Sequence, residues 1–354
     1  MATEAAVTID VTRGVREPHA GVTEAEWDLA VELIRGARRV LICSHRKPDG
    51  DAIGSLTGLG WALESLGKQV TLACADAAPN TLALIPGAEK IVQDIRPIYS
   101  LDRPLPWDLG IVVDASGLDR LGALYEDNED LFAALPLVDI DHHITNDRFG
   151  FANIVDARAA SATEVLTLLL ERLDVKPTVE AASCLLSGLI TDSLSFQTES
   201  TTPRTLRIAA DLVEAGAPLS AIAFQLFRQR PRGSAVLHAR ALGTLQFAAG
   251  GRVAWVEVTR KMIEEAGVGA DSGGLSGFAG SIEGVAVGFQ IEEGADGNVY
   301  AGFRSQSVDV AALAAELGGG GHVRAAGCSF KAPATIADAR AQILPIVERH
   351  LAAT

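Results

Sequence analysis

Three apolar runs, each ending abruptly in acids or histidines, constrain this chain more than any other feature. Val40-Leu41-Ile42-Cys43 leads into Ser44-His45-Arg46-Lys47-Pro48-Asp49-Gly50-Asp51. Leu109-Gly110-Ile111-Val112-Val113 leads into Asp114-Ala115-Ser116, and Leu137-Val138-Asp139-Ile140 into Asp141-His142-His143. Short, β-branched, largely unalternating runs belong to strands buried on both faces, and such strands build parallel sheets. In an open α/β sheet, ligands bind outside the carboxyl ends of the strands, beside the positive starts of the following helices. The pattern predicts an α/β fold with its chemistry at those ends.

In the first loop, His45, Asp49 and Asp51 can converge on one point, because Pro48 stiffens the turn and Gly50 tightens it. Neutral imidazole with hard carboxylates suits Mn, Fe or Zn. The other reading is an acidic loop with a helix-capping Asp and a solvated His. Asp114 alone also reads as a turn or cap residue. The adjacent pair His142-His143 has few structural roles at a strand end. Asp192 closes the apolar stretch Ser187-Gly188-Leu189-Ile190-Thr191, where a metal would partner it or the helix end is simply at the surface.

Composition narrows the partners. A net charge of −15 excludes broad grip on long nucleic acid, which needs a basic surface to release counterions. An anionic substrate must therefore be held locally. Cys43, Cys74, Cys184 and Cys328 are scattered in apolar surroundings with no paired spacing, as expected of buried thiols in a reducing compartment. The start of the chain lacks a basic, apolar signal, and no run approaches a membrane span of roughly 18 residues. The expectation is a cytoplasmic protein.

Along the chain, residues 1–21 read as a loose tail. Thr23-Glu24-Ala25-Glu26 and Ser161-Ala162-Thr163-Glu164 read as capping boxes that open helices. Residues 39–73 read as strand, loop, helix from Ala52 to Leu66, and strand. Gly54, Gly58 and Gly60 on that helix imply close packing, expected against the sheet. Helical patterns follow from Val179, Thr205 and Leu219, until Gln229-Arg230-Pro231-Arg232-Gly233 breaks the pattern as a basic connector. Beyond it, strands near 252–259, 284–292 and 298–305 interleave with helices near 261–266, 275–280 and 308–317. The run Gly318-Gly319-Gly320-Gly321-His322-Val323-Arg324 reads as a phosphate-friendly loop flowing into a small-residue helix, with Arg304 exposed near a strand end.

Taken together, these stretches resemble the DHH phosphoesterase family, whose Asp-His-His motif is Asp141-His142-His143 here. The other motifs are His45 to Ser55, Val113-Asp114 and Gly188-Leu189-Ile190-Thr191-Asp192, and the glycine run looks like the signature of the DHH-associated domain. The resemblance implies a parallel-sheet DHH domain with helices on both faces over residues 22–229, then a connector at 230–240. A smaller α/β domain at 241–350 would bind substrate, with the active site in the interdomain cleft. It further implies two divalent ions, usually Mn. His45, Asp49, Asp114 and Asp192 would bind one, and Asp51, Asp114 and His142 the other. Asp141 would orient a ligand, His143 would face the scissile phosphate, and Arg304, Gly320, Gly321 and His322 would hold the far end of the substrate.

The reading is a metal-dependent enzyme that hydrolyses short RNA or linear dinucleotides to mononucleotides, with phosphatase activity on phosphoadenosine phosphate as an extension. A cyclic-dinucleotide phosphodiesterase is the nearest alternative. A non-catalytic nucleotide-binding regulator should have lost metal ligands, and all six candidates are present. Partners are expected to be short nucleotides, with no long duplex and no membrane. Oligomeric state stays open, a homodimer included.

Overall fold

In the computed structural model, which describes residues 21–267 and 272–352, the chain forms two compact units, one ending at Gln229 and the other beginning at Arg230. The tail expected at the start lies, apart from Gly21, outside the described residues.

The first unit is built on β1 (Arg39–Cys43), β2 (Gln69–Ala73), β3 (Leu109–Val113), β4 (Leu137–Asp141) and β5 (Ala152–Val155). Their order is β2-β1-β3-β4-β5, and every neighbouring pair is parallel. The order reverses between β1 and β3, and a crevice opens at such a switch point. Alternate strand residues serve two cores. Ile42, Ile111 and Ile140 pack with α1 (Glu24–Gly36), α2 (Gly50–Ser65), α5 (Ala162–Leu173) and α6 (Val179–Asp192). Leu41, Cys43 and Val112 pack with α3 (Ala123–Glu126) and α4 (Glu129–Ala134) on the opposite face. Helices therefore cover both faces, as the sequence predicts.

The glycines of α2 act differently from expectation. A Cβ on Gly54 would meet the backbone of Cys184 at 2.6 Å and of Gly188 at 2.9 Å, and one on Gly58 would meet Leu185 at 2.9 Å. Both faces of contact belong to α6 rather than to the sheet; Gly60 alone turns to β2, against Leu72. The two helices run antiparallel, so the end of α6 lies beside the start of α2. Residues 203–228 continue with α7 (Pro203–Glu214), α8 (Leu219–Ala223) and a π-turn over Phe224–Arg228, which replaces the single helix expected from Leu219.

The second unit carries β6 (Gln246–Ala248), β7 (Val253–Val258), β8 (Val287–Glu293), β9 (Val299–Ser305), β10 (Gly320–His322) and β11 (Ala325–Phe330) in the order β10-β11-β9-β8-β7-β6. Only β7 and β8 pair in parallel. Phe289 and Phe303 anchor a core with α12 (Val310–Glu316) and α13 (Ile336–Ala352), the latter unread in the sequence. On the other face lie α10 (Arg260–Ala266), α11 (Leu275–Gly280) and α9 (Arg232–Leu242), a helix within the stretch read as a basic connector. The glycine run is a correction to the sequence reading: it opens an antiparallel hairpin, β10 to β11, and no helix begins there. The pairing of β11 along β9, from Arg304 to Val299, is a long-range contact that local composition does not reveal.

Candidate metal centre

His45 and Asp114 meet at the switch point between β1 and β3. Asp114 follows β3 in the left-handed region (φ 53°), is 2% exposed, and has one carboxylate oxygen, Oδ1, buried without a hydrogen-bond partner. Left-handed backbone costs a non-glycine residue free energy and clusters at functional sites. Here it turns the carboxylate back over the sheet end. His45 Nε2 lies 3.5 Å from Asp114 Oδ2 and 3.8 Å from Asp49 Oδ1. On the other side, His142 Nε2 lies 3.6 Å from Asp114 Oδ1, 3.8 Å from Asp51 Oδ2 and 3.4 Å from Asp192 Oδ2. Asp114 thus shows one oxygen to each set.

Each side chain is held by its element. Asp49 is the N-cap of α2, its Oδ1 accepting from the amides of Asp51 and Ala52 while it faces His45. Asp51, buried, accepts from the amides of Ala162 (2.6 Å) and Thr163 (3.1 Å) and from the Thr163 hydroxyl (2.9 Å) at the start of α5. Ser161 caps that helix, but its expected partner Glu164 reaches the amide of Ala160 and pairs with Arg204 instead. His45 Nδ1 lies 2.8 Å from the carbonyl of Arg46, which fixes the proton on Nδ1 and turns Nε2 to the acids. His143 Nδ1 lies 2.8 Å from Asp141 Oδ1, leaving Nε2 as its outward nitrogen.

Asp192 departs from the expected grouping. The family pattern placed it with His45 and Asp49, whereas its carboxylate gathers with Asp51 and His142, their ligand atoms all within 4.8 Å of one another. The cause is the close contact of α2 and α6 through Gly54 and Gly188. A Cβ on Gly188 would meet Asp51 Oδ1 at 2.8 Å, so only glycine lets the last turn of α6 come so near.

The electrostatics are those of crowded like charge. Burial, with the charges of Asp114 and Asp192, pushes Asp51 well above the usual carboxylate range. Burial also pushes Asp192 up to about 6; His142 opposes this while Asp114 and Asp49 reinforce it. Burial opposes charge on His45, but hydrogen bonds with Asp114 and Asp49 win and push it up to about 10. Carboxylates held back from ionising and imidazoles held protonated are what a set lacking sufficient positive charge shows. Four carboxylates, two imidazoles presenting Nε2, and the unpartnered oxygen of Asp114 fit divalent cations of the borderline type.

Two more residues lie beside the centre: the sequence reading gives Asp139 no role, and Asn146, which follows the Asp-His-His motif, only a doubtful one as a nucleotide contact. Asp139, on β4, is 0% exposed, and burial with the neighbouring charge of Asp141 pushes it up to about 8. Asn146 donates to Asp141 Oδ2 at 2.8 Å and to Asp139 Oδ1 at 3.2 Å. An acid two residues before another acid in a buried strand shares its face, a signal that could have singled out Asp139.

In the second unit, Arg304 is exposed on β9 and bonds only the carbonyl of Phe303 among the contacts described, at 2.9 Å. Register aligns Arg304 with Ala325, and Ala325 with His322, so Arg304 and His322 stand two strands apart, about 10 Å at the backbone. Gly320 and Gly321 lie on the same edge strand.

Residues 39–189 match the DHH family, N-terminal domain, and residues 256–349 match the DHHA1 domain. The chain is 33% identical to the bifunctional oligoribonuclease and PAP phosphatase NrnA of Thermus thermophilus, over 86% of its own length and 88% of the relative's. It is 27% identical to the cyclic-di-AMP phosphodiesterase GdpP of Geobacillus thermodenitrificans, over 88% of its own length but 47% of that protein's. In fold it resembles an exopolyphosphatase-related protein from Bacteroides fragilis, with a TM-score of 0.82, 25% identity, and coverage of 93% and 96% of the two chains.

Proposed function

We propose, since the chain belongs to the DHH phosphoesterase family and carries the DHHA1 domain, that it hydrolyses short oligoribonucleotides and linear dinucleotides to mononucleotides and dephosphorylates phosphoadenosine phosphate to AMP. The observation that carries the reading is Asp114, buried and left-handed, with one oxygen facing His45 and the other facing His142. His45, Asp49 and Asp114 would hold one divalent ion, and Asp51, His142, Asp192 and Asp114 a second, manganese in both cases. Two such ions, when bound, activate a water and offset the charge that gathers on phosphate. The rest is this chain's work. Asp141 holds the His143 ring by Nδ1, and its Nε2 donates to the phosphate. Arg304, Gly320, Gly321 and His322 grip the far end of the substrate, so that remote binding energy positions the scissile bond. Charge supports short substrates, because a chain at −15 has little to offer a long polyanion. Four buried free thiols suit the cytoplasm.

Cyclic-dinucleotide hydrolysis is the second reading, favoured by the cyclic-di-AMP phosphodiesterases among the relatives, although the chain spans less than half of the Geobacillus protein's length. A substrate panel with manganese separates the two: dinucleotides, longer RNA, phosphoadenosine phosphate and cyclic di-AMP. Dinucleotides should turn over fastest, and protein purified without chelator should carry about two transition ions per chain. His143→Ala should keep both ions and lose rate. Activity intact in chelator would overturn the metal reading, and a preference for cyclic di-AMP would replace the substrate reading.

A further inference from the structure

We infer that Asn146 is a positioning residue for the hydrolysis proposed above, on which this inference rests: its side-chain amide locks Asp141, and through it the His143 ring, to the turn that carries Asp114. Asn146 lies in the loop after β4. Its Nδ2 donates to Asp141 Oδ2 at 2.8 Å, to Asp139 Oδ1 at 3.2 Å and to the carbonyl of Ala115 at 3.3 Å. Its Oδ1 accepts from the amide of Arg148 at 2.6 Å. Ala115 directly follows Asp114, and the next peptide of the same turn is engaged as well, since the amide of Asp147 donates to the carbonyl of Ser116 at 2.8 Å. One side chain therefore joins the loop after β4 to the turn after β3.

Asp141 divides its oxygens between two tasks. Oδ1 faces His143 Nδ1 and also accepts the amide of His142, each at 2.8 Å, while Oδ2 takes the Asn146 amide. The terminal torsion of an aspartate is broad, so a carboxylate held at one oxygen only is free to swing. Held at both, it fixes the plane in which His143 presents Nε2. The contact to Asp141 is charge-assisted and the shortest of the three donations, and an amide has two hydrogens for them. With three acceptors for two hydrogens, none is left for solvent or substrate, as a holding role requires.

The bland alternative is that Asn146 merely shapes the loop through its bond to Arg148. The donor and acceptor can be separated. Asn146→Ser keeps an oxygen for the Arg148 amide but cannot reach Asp141. Asn146→Asp keeps the acceptor and removes the donor. The double variant Asp141→Asn with Asn146→Asp restores one N–H···O contact between the two side chains with its direction reversed. On a dinucleotide with manganese, both single variants should lose about ten- to a hundredfold in kcat, with KM within about threefold and bound metal unchanged, as expected when a partner of a site residue is removed. The double variant should recover at least about tenfold over Asn146→Asp. A crystal structure of Asn146→Ser should show the His143 Nδ1 to Asp141 contact broken or the ring turned. An unchanged contact, or kcat within about twofold of the parent, would overturn the inference. So would losses confined to melting temperature or metal content. If the parent protein hydrolyses none of the phosphoesters, the functional reading falls, and the crystallographic comparison still decides whether Asn146 holds the ring. Should Asn146→Asp fail to fold, Asn146→Ser carries both the kinetic and the structural arms.

Discussion

The two units hold their chemistry-bearing residues in opposite ways. In the first, Asp49, Asp51 and Asp141 are pinned by backbone amides, and Asp51, Asp114 and Asp141 are buried. In the second, the Arg304 side chain stands exposed and, among the described residues, donates a hydrogen bond to the carbonyl of Phe303, and the glycine run is an edge hairpin. The difference is what the proposed tasks call for. Groups that must meet developing charge act best when they need not reorganise, so their donors are fixed in advance. A side chain that grips the end of a variable substrate works by reach, and an exposed arginine at a strand end keeps its donors for the ligand.

The sharpest way to break that contrast is at its most fixed point. Asp114→Ala removes the carboxylate shared by both imidazole sets, so activity should fall by about a thousandfold or more and bound metal should drop, while circular dichroism stays native. Retained metal with retained rate would show that Asp114 is only a turn residue. Arg304→Ala should cost about ten- to a hundredfold in kcat/KM on a dinucleotide, yet leave a small chromogenic phosphodiester within several-fold. Equal losses on the two substrates would show that the second unit serves the chemistry itself, and the contrast between fixed and reaching residues would fail.

The smallest effect concerns stability. Asp139, raised to about 8, keeps a proton in the native protein that the unfolded chain releases near the ordinary carboxylate value. Its contribution is therefore complete in acid and is lost as pH rises from about 4 through 8. Asp139→Asn removes that dependence. It should raise the melting temperature by roughly 3–6 °C at pH 8 and leave it unchanged near pH 4, measured by calorimetry across that range. Parallel melting curves for the two proteins would show that Asp139 is ionised in the native state.

Much of the first unit was legible in one dimension. The strands from Arg39, Gln69, Leu109 and Leu137 and the helices from Val179 and Ala162 come from apolar runs and caps, which are local signals. All six proposed metal ligands stand where those elements end. The hairpin in the glycine run was misread as a helix start because small residues have no strand pattern of their own. β10 pairs locally with β11, and β11 is held in turn along β9, whose residues come well before it in the chain.

What the sequence determined by itself is therefore the inventory and the end of the sheet at which it collects. Buried strands are largely apolar along their length, so the acids and imidazoles that face a ligand collect where the strand stops, while Asp139 inside β4 is held by Asn146 instead. What only the tertiary structure decided is who faces whom. Asp192 joins Asp51 and His142 because Gly54 and Gly188 let α2 and α6 touch, a contact between residues with no local relation in the chain. Asn146 reaches Asp141, Asp139 and the turn beside Asp114 because β3 and β4 pair side by side. Packing at contact distance is a property of two surfaces at once, and neither surface is written in the residues of one segment.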